Sequence, residues 1–95
     1  MIVDLIRNDL ARVARPGSVE VPDLMRVEHH PGLAHLVSDV VAEVEPDLPL
    51  RHLLGAMLPP GSVSGAPKSS ALEVITRLEP VRRDVYCGAF GWIDA

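Results

Sequence analysis

Residues 61–75 read GSVSGAPKSSALEVI, a run of small residues that leads into a helical pattern. Pro67 suits the first position of a helix, where its missing N–H is not needed. The apolar residues that follow at helical spacing are Ala71, Leu72, Ile75 and Leu78. They predict a helix that ends by Pro80, joined directly to a loop of small residues.

This loop has the features of an anion site. A helix N-terminus offers free N–H groups and a positive dipole end, and both favour a negative ligand. Gly61 and Gly65 would let a ligand approach the backbone closely. Lys68 opposes the helix dipole, so its charge is expected to serve a ligand or a carboxylate partner. The spacing excludes a nucleotide P-loop, whose lysine follows the second glycine directly. An ordinary loop with a helix cap is the alternative.

Two further helices are predicted. Residues 2–13 place apolar side chains at helical spacing until Pro16-Gly17 ends the pattern. No capping residue precedes Ile2, which indicates a helix cut from a longer protein. Residues 50–58 predict a short second helix.

Strands are predicted between these helices. Residues 19–21 and 24–29 alternate in polarity, and Pro22 should separate them. Pro31-Gly32 is a turn. Residues 33–44 fit either period, but their valine content favours a strand over a helix.

The C-terminal residues 85–93 predict a glycine-interrupted strand, which makes the fold class α+β. This segment holds all three aromatic residues of the chain, Tyr86, Phe90 and Trp92. Their crowding here suggests that the rest of a core lies beyond the segment, and Tyr86 and Trp92 are expected in that core.

Composition excludes several classes of protein. A chain of 95 residues holds one domain at most. Its net charge of −4 argues against a nucleic-acid partner. The single Cys87 cannot form an internal disulfide, which fits the cytoplasm. Charges within the apolar N-terminus exclude a signal peptide, and no apolar run reaches the ~20 residues that span a membrane. The small core and exposed strand edges allow self-association.

Three histidines lie close together in sequence. Adjacent residues on a strand point to opposite faces, so His29 and His30 are not expected to share a metal ion. His35 opens an apolar segment, where an imidazole could act as an acid or base near neutral pH. A hydrogen-bonded strand histidine is the alternative.

The other charged candidates have simpler interpretations. Asp4 and Asp9 are expected to form local ion pairs with Arg7 and Arg12 rather than a metal site. Arg82-Arg83 is expected to be a solvated pair in a loop.

Four blocks of this sequence together resemble the chorismate-binding enzyme family. They are MIVDLIRNDLARV at 1–13, HLVSDV at 35–40, GSVSGAPKSSALEVI at 61–75 and LEPVRRDVYCGAFGW at 78–92. Their order and spacing also match, and they cover essentially the whole chain. The resemblance implies that residues 1–95 are a fragment of a single chorismate-binding domain. The implied fold is part of an anthranilate synthase component I-like fold, with mixed helices and antiparallel strands.

Within the family, the blocks are most similar to component I of the aminodeoxychorismate synthases. Anthranilate synthases usually have methionine-glycine-threonine where Pro60-Gly61-Ser62 stands, and glycine where Cys87 stands. The resemblance implies conversion of chorismate and ammonia to 4-amino-4-deoxychorismate, for para-aminobenzoate and folate synthesis. An anthranilate synthase fragment remains an alternative, as does a non-catalytic remnant or interaction module.

The resemblance also implies roles for individual residues. His35 would be the general acid or base beside the ring hydroxyl that leaves. Positions implied to lie at the substrate are Ser62, Ser64, Gly65, Ala66, Lys68 and Tyr86. Of these, Tyr86 would contact a carboxylate and Lys68 would have a supporting role.

The same resemblance implies a Mg²⁺ ion and a glutamine amidotransferase partner that supplies ammonia. The family's metal-binding glutamates and its lysine nucleophile lie in motifs that this chain does not contain. We therefore expect the isolated chain to be inactive.

Overall fold

The computed structural model describes residues 1–94, which form four helices and one two-stranded antiparallel sheet. The elements in chain order are α1 (Ile2–Ala11), β1 (Glu20–His30), β2 (Leu33–Val41), α2 (Leu50–Met57), α3 (Gly61–Ser64) and α4 (Lys68–Leu78). The predicted α+β class is confirmed. None of the helices in residues 1–94 is long and apolar enough to cross a membrane.

Helix α1 is central to the fold, because it packs against three other elements, α2, α3 and β2. Its apolar stripe is half-buried at Leu5, Ile6 and Leu10, as the helical pattern predicts. Ile2 at the start of the stripe is exposed. Met1 precedes the helix without forming a side-chain cap. The position of α1 therefore sets where the hairpin and the small-residue loop lie.

Strands β1 and β2 form a hairpin around the predicted Pro31-Gly32 turn. Gly32 has a φ of +84°, a conformation that glycine adopts without steric cost. The turn pairs His30 with Leu33, and the register continues to Glu28 opposite His35. The prediction of a strand rather than a helix within residues 33–44 is confirmed.

The prediction that Pro22 divides two strands is wrong, since β1 runs continuously through it. The ladder absorbs the proline, which has no N–H to donate, through register shifts on both sides of Asp23. Met25 takes a left-handed φ of 55°, and its N–H bonds to Ser38 Oγ at 2.9 Å instead of continuing the ladder.

Ion pairs join the end of α1 to the end of the hairpin. Arg15 Nε lies 3.0 Å from Glu45 Oε1, and the backbone N–H of Arg15 donates to the Glu43 carbonyl at 2.7 Å. The predicted local pair between Asp4 and Arg7 is present at 3.4 Å. These pairs are exposed, so they orient the elements more than they stabilise them.

The predicted strand over residues 85–93 is wrong. A strand needs a neighbour to bond its backbone, and the only sheet in the described chain consists of β1 and β2. Tyr86, Phe90 and Trp92 are exposed, so Tyr86 and Trp92 do not belong to a core formed by residues 1–94 themselves. Ala56 on α2 is the only buried apolar residue in the part of the chain that the structure describes.

Two helical glycines test how closely α3 packs on α1. A Cβ at Gly61 would lie 3.3 Å from Leu5 Cβ, whereas one at Gly55 would have no atom within 4 Å. We expect Gly61→Ala to lower the free energy of unfolding by about 1–3 kcal/mol, because Leu5 or α3 has to shift to make room for the methyl group. Gly55→Ala should raise it by up to about 1 kcal/mol, because alanine favours a helix. Urea unfolding followed by circular dichroism measures both. A Gly61→Ala chain as stable as the parent would contradict the close packing.

Candidate functional site

The residues 61–68, here called the Gly61–Lys68 loop, contain a helical turn that the sequence did not predict. In α3 the Ser64 N–H bonds to the Pro60 carbonyl at 3.1 Å, and the Gly65 N–H bonds to the Gly61 carbonyl at 2.8 Å. The N–H groups of Ser64 and Gly65 are therefore already bonded within the segment. Small side chains let the segment coil into a tight turn, which satisfies these groups internally.

Free N–H groups are present instead in the first turn of α4. This helix begins at Lys68 with Pro67 at the N-cap, one residue later than predicted. The N–H groups of Lys68, Ser69 and Ser70 have no acceptor among residues 1–94, and Ala71 is the first to bond, to the Pro67 carbonyl at 3.0 Å. These three donors and the helix dipole favour an anion at this end of α4.

Gly65 joins the two helices in a conformation that requires glycine. Its φ of 108° and ψ of 176° lie in a region that is essentially closed to other residues. A Cβ there would also lie 3.1 Å from Ala71 Cβ. The course of the loop therefore depends on the missing side chain.

The predicted substrate-binding residues of the loop differ in what they expose. Ser62 and Ala66 are exposed, and Gly65 is half-buried. Ser64 is buried, and its hydroxyl donates to the Pro60 carbonyl at 3.1 Å. Ser62 thus offers a side-chain hydroxyl to a ligand, whereas Ser64 holds the shape of the turn.

Lys68 is held by a carboxylate of this same chain. Its Nζ lies 2.7 Å from Asp9 Oδ2 and donates to the Ala56 carbonyl at 2.9 Å. The two side chains are 9% and 6% exposed. The predicted pairing of Asp9 with a nearby arginine is wrong, because Asp9 lies on the face of α1 that packs against α3. Its position one helical turn after the apolar Leu5 was the signal for this.

His35 lies on β2, exposed, opposite Glu28 of β1. Its ring centroid is 5.3 Å from that of His30, and His30 Nε2 lies 3.6 Å from Glu28 Oε2. His29 is on the other face of the hairpin, as the strand alternation predicts. Glu28 and the contact of His30 with His35 were not predicted from the sequence, although the short turn at Pro31-Gly32 determines both.

Arg83 ties the C-terminal segment to the loop. It bonds to the Glu79 carboxylate and donates to the Val63 carbonyl at 3.2 Å. The prediction of a solvated pair is therefore wrong for Arg83 but holds for the exposed Arg82. Tyr86 lies in the turn that follows. Its backbone N–H bonds to the Arg83 carbonyl at 2.8 Å, and its side chain is exposed.

These residues do not form one assembled site within the chain. The loop packs on α1 and α4, the hairpin packs on α1, and no hydrogen bond or ion pair among residues 1–94 joins His35 to the loop. No group of three or more histidine, cysteine, aspartate or glutamate side chains in residues 1–94 could hold a metal ion. The residues present do not fit Mg²⁺, which prefers several oxygen ligands.

The profile of the chorismate binding enzyme family matches residues 1–95. The chain belongs to this family. It is 53% identical over 94 residues to aminodeoxychorismate synthase component 1 of Klebsiella aerogenes, covering 99% of this chain and 21% of that protein. It is 47% identical over 94 residues to anthranilate synthase component 1 of Aquifex aeolicus, covering 99% and 19%.

A solved structure of a family member has the same fold over this segment. Anthranilate synthase component I from Streptococcus pneumoniae superposes with a TM-score of 0.78 at 45% identity, covering 96% of this chain and 21% of that one. The chain thus spans about a fifth of the length of the relatives it matches. This confirms the resemblance drawn from the four sequence blocks and the implied partial fold.

The Glu79–Arg83 contact predicts a pH dependence for the attachment of the C-terminal segment. Hydrogen bonding to Arg83 lowers the pKa of Glu79 from its ordinary value of 4.5. A carboxyl group with a lowered folded-state pKa stabilises the fold above its unfolded pKa, and this contribution is lost as the pH falls through the folded pKa. We expect NMR titration of Glu79 Cδ to give a pKa below 4.5, which Arg83→Gln returns towards 4.5. Arg82→Gln is the control, and an unchanged Glu79 pKa in Arg83→Gln would refute the contact.

Proposed function

We propose that this chain is part of component I of an aminodeoxychorismate synthase, which converts chorismate and ammonia to 4-amino-4-deoxychorismate. The observation that carries the proposal is its 53% identity to the Klebsiella aerogenes protein of that name, against 47% for the Aquifex aeolicus anthranilate synthase. The residues Pro60, Ser62 and Cys87, which depart from the usual anthranilate synthase pattern, support the same subfamily. The residues 1–95 would form one part of a single domain.

The Gly61–Lys68 loop and α4 would hold the substrate. Chorismate is a dicarboxylate, and the free N–H groups of Lys68, Ser69 and Ser70 are suitable donors for a carboxylate. Ser62 adds an exposed hydroxyl beside them. Tyr86, whose N–H bonds to the Arg83 carbonyl in the segment that Arg83 ties to Val63, would contact a carboxylate as well.

His35 would serve the departure of the ring hydroxyl. Ammonia adds at C4 of chorismate and the hydroxyl leaves, so a proton must be delivered to the leaving oxygen. An exposed imidazole on a hairpin can carry that proton. The neighbouring His30 and Glu28 would orient its ring.

The remainder of the enzyme would come from outside this chain. Mg²⁺ would supply a positive charge for the substrate through carboxylates elsewhere, since residues 1–94 contain no fitting donor group. Ammonia would come from a glutamine amidotransferase partner, and the enzyme would work in the cytoplasm.

An anthranilate synthase component I is the second candidate. The Synechocystis sp. protein of that name is 50% identical over 94 residues, close to the values for the aminodeoxychorismate synthases. Both enzymes bind chorismate, so the geometry of the loop suits either one. The identity of the product separates them.

A pair of chimeras tests the subfamily. Residues 1–94 replace the matching segment of the Klebsiella aerogenes aminodeoxychorismate synthase component 1 and, separately, of the Aquifex aeolicus anthranilate synthase component 1. Each is assayed with chorismate, ammonia and Mg²⁺. We expect the first chimera to keep at least about a tenth of the kcat of its host, which corresponds to an increase in the activation barrier of at most about 1.4 kcal/mol. The second chimera should keep a smaller fraction of its own host's kcat. Equal or reversed retention would refute the subfamily, and the isolated 95-residue chain should form neither product.

The role of His35 is tested in the first chimera. We expect His35→Gln to lower kcat by about 10²–10⁴-fold, with little change in the KM for chorismate, because only proton transfer is lost. His29→Gln on the opposite face of the hairpin is the matched control and should keep the parent kcat. Equal effects of the two substitutions would show that the hairpin contributes only structure.

A further inference from the structure

The buried pair of Asp9 and Lys68 has no role in the function proposed above. Both side chains are more than nine-tenths buried, and the ammonium uses two of its three N–H groups, on Asp9 and on the Ala56 carbonyl. Buried charges are costly unless they are paired and hydrogen-bonded, and this pair meets that condition. Lys68 is also the only lysine in the chain.

One carboxylate lies near both ends of the Gly61–Lys68 loop. Asp9 Oδ2 bonds to Lys68 at the end of the loop, and it would lie 3.7 Å from a Cβ at Gly61 at its start. Through Lys68 the same carboxylate is linked to Ala56 at the last turn of α2. Both ends of the loop thus lie close to Asp9, while Ser62 and Ala66 within it are exposed.

The pair also changes what Lys68 can do for a ligand. A substrate carboxylate that approached Lys68 would have to compete with one already 2.7 Å from its Nζ. The backbone N–H groups in the first turn of α4 have no such partner within the described residues 1–94. The positive potential available to an anion therefore comes from the helix and not from the lysine.

We propose that Asp9 is a positioning residue for chorismate turnover, and that Lys68 acts through Asp9 rather than by touching the substrate. The inference rests on the proposed function, since it assumes that the Gly61–Lys68 loop faces chorismate. The pair sets the distance between α1 and the first turn of α4. Loss of either partner frees the loop to move, and a displacement of about 1 Å at a binding loop costs up to about 10²-fold in rate.

The pair itself is tested without substrate, on the 95-residue chain. An amine-acetylating reagent should modify the exposed N-terminal amine of Met1, which is the internal control, and leave Lys68 unmodified by mass spectrometry. In Asp9→Asn, Lys68 should become reactive. Acetylation of Lys68 at the rate of Met1 in the parent chain would overturn the pair, whatever the chain's function.

The positioning role is tested by kinetics in the Klebsiella aerogenes chimera with Asp9→Asn, Lys68→Met and the double variant. We expect each single substitution to lower kcat/KM by about 10–100-fold, mainly through kcat. The double variant should fall within about twofold of the worse single one, because the partners act as a unit. Asp9→Glu and Lys68→Arg keep the charges and should recover part of the activity.

Direct substrate binding by Lys68 gives a different pattern. Lys68→Met would then raise the KM for chorismate, while Asp9→Asn, which frees the ammonium, would leave that KM unchanged or lower it. That result would overturn the proposal. An inactive parent chimera would instead refute the proposed function, and an active parent with an unaffected Asp9→Asn would refute the positioning role alone.

Discussion

The arrangement of this chain depends on one buried ion pair, Asp9–Lys68. Each charge loses several kcal/mol of hydration on burial, and the short contact together with the second bond to the Ala56 carbonyl must offset that loss. Ala56 is the only buried apolar residue among residues 1–94, so apolar packing within the segment does not hold α1, α2 and α4 together by itself. Removing one partner of such a pair typically destabilises a protein by about 3–5 kcal/mol, because the other charge stays buried and unpaired.

The shape of the loop follows from this constraint. With Lys68 drawn towards α1, the chain between α3 and α4 has to turn sharply, and Gly65 takes a conformation that only glycine adopts readily. At the other end, Gly61 lets α3 lie against Leu5, where an added Cβ would come within 3.3 Å of Leu5 Cβ. The two glycines that suggested room for a ligand in the sequence are thus needed for packing as well. The small residues of the loop are needed for its backbone conformation, and only exposed residues such as Ser62 and Ala66 are accessible to a ligand.

The sequence predicted the elements well where periodicity and turn chemistry agree. Helices α1, α2 and α4 and the Pro31-Gly32 hairpin follow from local patterns, and the four sequence blocks predicted the family. Two kinds of error have physical causes. The residues 85–93 predict a glycine-interrupted strand, but a strand exists only beside a partner, which local sequence does not reveal. Likewise the partner of Asp9 lies far along the chain, so a rule based on neighbours in one helix assigned it to an arginine. The roles of His35, Ser62 and Tyr86 stay predictions.

The charged side chains of this segment limit how it would attract a dicarboxylate. The chain has a net charge of −4, and five of its nine cationic side chains are paired with carboxylates in residues 1–94. Long-range attraction by this segment is therefore weak, and any affinity has to arise from short-range donors. The first turn of α4 supplies three N–H groups that have no acceptor among residues 1–94, next to a lysine whose charge is offset by Asp9. If the proposed function is correct, these groups would bind an anion through hydrogen-bond geometry more than through charge. Such a site would be sensitive to the placement of carboxylates on a ring, to which a mobile ammonium group would be less sensitive.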